Sequence, residues 1–146
     1  DRMASLRDAF IGHRDAIDAL GLPAGEPFLD EIRDGVEADA ERATFIHALL
    51  EATLAHAAGD TASVTSWMAA ADAAQERASV VIARRHGSLH YPDADTIRAS
   101  ERDNATAYNY GYLREAETRC FYDREKTEVR NLVNGTSDAV PFCALL

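Results

Sequence analysis

The histidines of this chain, with the carboxylates and tyrosines near them, are the residues whose types could support chemistry. Helical spacing and the predicted register of the helices bring one imidazole, one carboxylate and two phenol hydroxyls to a common level: His47, Glu51, Tyr108 and Tyr112. Such a set can satisfy its own hydrogen bonds as a buried network. It becomes a general-base site where a pocket opens onto it. The sequence favours the structural network.

A second group of histidines is predicted at one end of the bundle. The register of the helices places His13 and His86 near Arg33 and Asp34, with His90 in the adjoining connection. Imidazoles among carboxylates suit a divalent transition metal. The competing interpretation is one core histidine, His13, and two solvated histidines at a helix end, and the sequence favours it. The metal site remains the alternative.

The spacing of two residue pairs resembles that of hemerythrin-like di-iron proteins, namely His47 with Glu51 and His86 with His90. His13 with Asp18 fits a third such spacing. The order differs, because the histidine–carboxylate pair that such proteins place last comes first here. A turn near residue 59 would also set His86 about 24 Å from the level of Glu51 along the bundle. The spacing therefore does not predict a di-iron centre.

The motifs of the common enzyme classes are missing from the sequence. There is no glycine-rich phosphate loop, no paired-cysteine metal motif and no nucleophile elbow. Catalysis is therefore the less favoured interpretation, and no cofactor is predicted outside the metal alternative. The net charge of −10 argues against nucleic acid or an anionic membrane surface as a partner. No apolar run approaches the roughly 18 residues of a transmembrane helix.

The two cysteines, Cys120 and Cys143, can be joined or free. A helix ending at Gly135 and the eight-residue return after it have nearly equal reach, so a disulfide is geometrically possible. It would stabilise the fold by about 3 to 4 kcal/mol. We expect it in an exported protein and not in a cytoplasmic one. The chain begins at Asp1, which we interpret as a processed form or a piece of a longer protein.

Apolar periodicity predicts the elements that would position these residues. The first helix spans residues 2 to 20, with an apolar seam of Met3, Leu6, Phe10, Ile17 and Leu20 and with His13 in the remaining slot. The second runs from Pro27 to about Ala58, and the third follows the turn at Gly59 and Asp60 and stops at Gly87. A last, long helix covers residues 96 to 134. The tail, which includes Phe142, is expected to pack back on the bundle.

We therefore expect residues 1–146 to form a single all-α domain. It would be an antiparallel up-and-down bundle of about four main helices, because short connections force antiparallel neighbours. The leading functional hypothesis is a non-enzymatic helical interaction or assembly module, with a protein partner or a second copy bound to it. It would be an accessory domain of, or a processed piece from, a larger exported bacterial protein. Its location would be extracytoplasmic or secreted, with the cytoplasm as the alternative. A metal- or small-ligand-binding bundle is the second hypothesis.

Overall fold

The computed structural model of the protein describes residues 2–88 and 115–143. These residues form four helices and no strand: α1 (Arg2–Ala19), α2 (Pro27–Ala57), α3 (Thr61–Ser88) and α4 (Glu115–Asn134). The helices pack against each other, and the predicted all-α class is confirmed. Residues 96–114 of the predicted last helix lie outside the described residues.

The connection between α2 and α3 is a tight reversal whose residues explain both helix ends. Gly59 has a positive φ of 75°, and the amide of Asp60 donates to the carbonyl of Ala55 at 2.9 Å. That pattern is a Schellman motif, which a glycine at this position permits. The carboxylate of Asp60 then accepts the Ser63 amide at 3.0 Å and caps α3. Because the reversal takes only three residues, α2 and α3 lie side by side and antiparallel.

Small side chains let α2 and α3 approach closely. Ala71, Ala74 and Ala78 of α3 are fully buried. Phe45 of α2 is fully buried as well, and its ring lies 4.6 Å from that of Tyr122, which α4 contributes. The rest of this core cluster consists of Ala48, Leu49 and Ile82. The core of the described residues therefore sits where α2, α3 and α4 meet.

The first helix packs differently from the prediction. Among the described helices α1 contacts α2 alone, and none of its residues is buried. Leu6 and Leu20 of the predicted seam are 46% and 65% exposed. The half-buried stripe of α1 instead comprises Met3, Arg7, Phe10, Arg14 and Ile17. The predicted seam is wrong by about one residue at these positions, because α1 meets polar groups of α2 that attract its arginines.

The connection from α1 to α2 returns along α2 and does not turn tightly. Arg33 donates to the carbonyl of Leu22 at 3.0 Å, and the Gly25 amide donates to Asp30 at 2.8 Å. The first two turns of α2 therefore extend beyond the end of α1. This geometry shifts the register of the two helices, with consequences for the predicted histidine cluster.

Candidate functional site

Three polar residues of α2 are buried. Asp34, Glu41 and His47 are each no more than 5% exposed. Glu41 lies seven residues, or close to two turns, after Asp34 and nearly in line with it, whereas His47, six residues further on, is turned by about 120° around the helix from Glu41. We call these three buried residues the polar row. Buried polar groups require partners, and arginines from the flanking helices supply them.

His47 is the only member of the polar row that the sequence had suggested as a site residue. Arg7 of α1 brings its Nη1 atom to 3.2 Å from His47 Nδ1, and Glu51 Oε1 lies 3.7 Å from Nε2. Trp67 of α3 packs edge-on against the imidazole at 5.6 Å between ring centres. Burial, and then the neighbouring Arg7 charge, lower the pKa of His47 below its usual value. The lowered pKa favours the neutral ring, and the Arg7 Nη1 atom faces both ring nitrogens, at 3.2 Å from Nδ1 and 3.4 Å from Nε2.

The two carboxylates of the polar row are clamped by cations. Arg84 donates from Nε to Asp34 at 3.0 Å and reaches Glu37 at 2.7 Å. Hydrogen bonding to Asp34 raises the pKa of the Arg84 guanidinium. Glu41 is approached from both sides, by Arg77 of α3 at 2.8 Å and by Arg14 of α1 at 3.7 Å. The acids are thus engaged in ion pairs and do not act as free bases.

The predicted metal cluster is not assembled by the residues that the structure describes. The pair of Arg14 with Glu41 sets His13 of α1 near the level of residue 42, whereas the pair of Arg84 with Asp34 sets the backbone of His86 near residue 32. Ten residues of helix separate these levels, or about 15 Å. His13 is exposed, and not the core histidine that was favoured, and its ring lies 6.4 Å from that of Phe10.

Several predicted site residues fall outside what the structure describes. They are His90, Tyr108 and Tyr112, together with the side chain of His86. Within the described ranges, no three histidine, cysteine or acidic side chains come close enough to hold a metal ion. The hypotheses that involve these residues therefore stay predictions. Of the predicted His47 network, only the neighbouring pair of His47 and Glu51 is seen together.

A cavity of about 220 Å³ opens where α2, α3 and α4 converge. Its wall is mostly apolar and consists of Ala38, Asp39, Arg42, Ile82, Thr118, Phe121 and Tyr122. The Arg42 guanidinium lies 4.8 Å from the centre of the Tyr122 ring and 5.6 Å from that of Phe45. Its Nη2 atom donates to Glu125 at 2.6 Å. The guanidinium therefore lies against two aromatic faces and one carboxylate, while its buried Nη1 atom has no hydrogen-bond partner among the described residues.

The segment after α4 returns along that helix and is fastened at both ends. We call residues 136–143 the tail. Near the start, the Asn131 side chain accepts a hydrogen bond from the Asp138 amide at 3.0 Å and donates one to the Asp138 carbonyl at 2.9 Å. At the far end the sulfurs of Cys120 and Cys143 lie 2.00 Å apart, which is disulfide-bonding distance. The sequence had left this pairing open.

One aromatic side chain of the tail, Phe142, is almost fully exposed to solvent. Cys143 is 5% exposed, whereas the preceding Phe142 is 92% exposed and Val140 is 39% exposed. The expectation that Phe142 would pack on the bundle is wrong, because Cys143 takes the inward position and successive residues of an extended chain point to opposite sides. The sequence signal for this display was the neighbouring cysteine, which forces the alternation.

The chain matches no known protein family, no curated protein and no solved structure. Function must therefore be argued from its own residues. Among the described helices, none combines the length and the apolar character that crossing a bilayer requires.

Proposed function

We propose that this chain is a non-enzymatic interaction module of an extracytoplasmic protein, and that its tail is the contact surface. The observation that carries the proposal is the fully displayed Phe142 next to a buried, disulfide-bonded Cys143. Exposing an aromatic ring to water is unfavourable, and such rings are enriched at protein interfaces. The backbone that carries the ring is also fastened, at Asp138 and at Cys143, which lowers the entropy lost on binding.

The buried polar groups support a binding role over catalysis. In the polar row Asp34 and Glu41 are neutralised by arginines, and His47 accepts from Arg7. A catalytic base needs an accessible lone pair in a pocket. The described cavity, lined by Ala38 and Tyr122 among others, lies beside Arg42, whose charge is paired. These groups stabilise the fold and leave the surface to interact.

The disulfide supports a location outside the reducing cytoplasm. Disulfides persist in oxidising compartments and are rare in the cytosol. The bond between Cys120 and Cys143 closes a loop of 23 residues and fixes the tail on α4. A protein that must present this tail would need the bond to remain intact. The proposed location is thus extracytoplasmic, and the cytoplasm stays the alternative.

Photocrosslinking tests the proposal directly. In one sample a benzophenone amino acid replaces Phe142. In the control sample it replaces Thr61, an exposed residue at the start of α3. Each protein is exposed to the extracytoplasmic fraction of its source organism, and crosslinked proteins are identified by mass spectrometry. We expect one protein to be captured at position 142 alone and to be displaced by excess unmodified chain. With that protein purified, Phe142→Ala should weaken binding about tenfold or more.

The control for the affinity measurement is Leu132→Ala. Leu132 is a large apolar residue of α4 that is 52% exposed but does not belong to the tail. Its replacement should leave the affinity unchanged. Equal crosslinking from positions 61 and 142, or none from either, contradicts the proposal.

A second candidate function is binding of a small apolar ligand in the cavity. Its support is the volume of about 220 Å³ beside Ala38 and Ile82. An apolar cavity of this kind binds compounds of the size of benzene or indole. Thermal unfolding with and without indole tests it, using Ala38→Leu to fill the space. A shift in Tm that the filled variant loses supports ligand binding, and no shift contradicts it for compounds of this size.

A further inference from the structure

The tail runs back along α4 between two attachment points. Asn131 and Cys120 are eleven residues apart in α4, or about 16 Å along the helix axis. Asp138 is bound to Asn131, and Cys143 is bound to Cys120. The five residues from Asp138 to Cys143 can span at most about 18 Å. That reach is close to the separation of the two attachment points, so they are compatible with an extended chain between them.

From Val140 to Cys143 the side chains alternate between exposed and covered, whereas residues 136–139 before them are all exposed. Pro141 is half-buried and Cys143 is buried against α4. Val140 and Phe142 point away from the helix and are exposed. A period of two is the pattern of β-structure. The outward face therefore offers two apolar side chains on an extended backbone.

The backbone of the tail has unused hydrogen-bonding groups. In the described part of the chain, the amides of Ala139, Val140, Phe142 and Cys143 donate to no other residue, and Pro141 has no amide hydrogen. The interior amides of α4 are committed to its own helical bonds, so the helix beneath the tail cannot pair with it. In an extended chain these groups point sideways, along the edges of the segment. The segment therefore carries unpaired backbone donors, as the edge strand of a sheet does.

The charges around the tail indicate the character of a partner. Two cations of α4 form ion pairs within the chain: Arg124 pairs with Glu128 at 3.2 Å, and Lys126 pairs with Asp72 at 3.0 Å. Asp138 in the tail has no ion pair among the described residues, and the whole chain carries a net charge of −10. A second acidic copy would be repelled. Exposed edge strands of folded proteins commonly carry lysine, which an acidic surface attracts.

We infer that residues 139–143 add as a strand to the lysine- or arginine-bearing edge of a partner protein's β-sheet, with Val140 and Phe142 packed on an apolar face of that sheet. The inference rests on the proposed function and specifies its mode of recognition. Main-chain hydrogen bonds give such strand addition its affinity, and alternate side chains give it specificity. The disulfide and Asn131 hold the segment in its bound conformation beforehand.

A defined peptide probe tests the mode without knowledge of the natural partner. The probe is a capped seven-residue peptide of alternating lysine and valine, titrated into ¹⁵N-labelled protein with the disulfide intact. We expect the amide signals of Ala139, Val140, Phe142 and Cys143 to shift, and cross-strand contacts between α-protons to appear. The same peptide N-methylated at two consecutive central residues lacks a donor on each edge. It should bind at least about tenfold more weakly if backbone pairing dominates.

Side-chain variants separate the tail from other apolar surface. Phe142→Ala should lower the affinity for the unmethylated peptide about tenfold. Leu132→Ala, which removes a comparable exposed side chain from α4, should leave it unchanged. Replacing both Cys120 and Cys143 with serine frees the tail and should weaken binding several-fold, because the unfastened segment must be ordered on association. Raising the salt concentration should weaken binding to the lysine-bearing peptide.

The outcomes distinguish this inference from the function on which it rests. Equal binding of the methylated and unmethylated peptides, or shifts confined to other regions, overturns strand addition. If crosslinking at position 142 still captures one partner, the tail is a docking surface that uses side chains alone, and the proposed function stands. If neither peptide nor partner binds at the tail, both fail.

Discussion

The two most extensive interfaces of helix α2, with α3 and with α1, are built from different kinds of side chain. Towards α3 it packs against Ala71, Ala74 and Ala78, which are fully buried. Towards α1 it meets a helix with no buried residue, which Arg7 and Arg14 attach to the polar row. Apolar burial contributes about 25 cal/mol per Å², whereas partly exposed ion pairs contribute about 0 to 1 kcal/mol. The comparison implies that α2 and α3 hold most of the stability and that α1 is weakly fastened.

The largest effect is expected at the centre of the apolar interface. Phe45→Ala should lower the free energy of unfolding by about 3 to 5 kcal/mol, because it removes a fully buried ring and leaves a cavity beside Tyr122. Urea unfolding measures it. Leu54→Ala, in the same helix but 51% exposed, is the control and should stay within about 0.5 kcal/mol of the unmodified protein. Similar losses in the free energy of unfolding from both variants would contradict the conclusion that the interface with α3 holds most of the stability.

The close approach of α2 and α3 should make added volume costly. Ala74→Leu is expected to destabilise the protein by about 1 to 3 kcal/mol, since the residue is fully buried and its neighbours must move. The same substitution at the exposed Ala69 of α3 controls for helix propensity. If both variants are equally stable in chemical denaturation, the interface is looser than described.

The polar interface should be sensitive to pH through His47. Its pKa is lowered, mainly by burial and also by Arg7, while Glu51 and Asp8 oppose the shift. In the unfolded chain the imidazole binds a proton near its usual pKa, so below about pH 6.5 the unfolded state takes up more protons than the folded state. Stability should therefore be full above that pH and fall on acidification, by at most about 1.4 kcal/mol per pH unit.

His47→Gln should reduce this pH dependence, as measured by unfolding at pH 7.5 and 5.5. His56→Gln, which alters an exposed histidine at the end of α2, should not. An unchanged slope in His47→Gln would show that other groups govern the acid response.

The smallest effect is expected where α1 meets Glu41. Arg14→Met should reduce stability by no more than about 1 kcal/mol, because Arg77 remains 2.8 Å from the same carboxylate. Hydrogen exchange sharpens the test, since amides of α1 should exchange faster than those of α2 and α3 and faster still in the variant. Arg2→Met, at an exposed arginine of the same helix, is the control. Protection in α1 equal to that in α3 would contradict a weakly fastened helix.

The elements next to a tight turn were predictable from sequence. Pro27 and Gly59 act locally, through a fixed backbone angle and a positive φ, so the bounds of α2 follow from residues close to its ends. The buried alanines were predictable for a similar reason, since their periodicity lies within α3 alone. The all-α class follows from these local signals.

The register of α1 and the positions of Leu6 and Phe142 were not predictable in this way. Arg7 and Arg14 turn inward because His47 and Glu41, more than 25 positions away, are buried opposite them. An analysis of hydrophobic periodicity assigns arginine to the exposed face of a helix. It therefore cannot predict an arginine that turns inward to pair with a buried group elsewhere in the chain. Phe142 is displayed because Cys143 must reach Cys120, a constraint that is known only once the disulfide is assigned.

An interface of alanines has a weakness that the polar row corrects. Small, similar side chains such as Ala71, Ala74 and Ala78 do not fix the position of α3 along the axis of α2, because shifting the helix would change these contacts little. The ion pairs of Arg84 with Asp34 and of Arg77 with Glu41 link α3 to α2 at two fixed positions. A slip of one turn, about 5.4 Å, would break both pairs at once, leaving Asp34 buried without its arginine and Glu41 with Arg14 alone. The charges thus select a single alignment of helices whose apolar contacts alone would tolerate several.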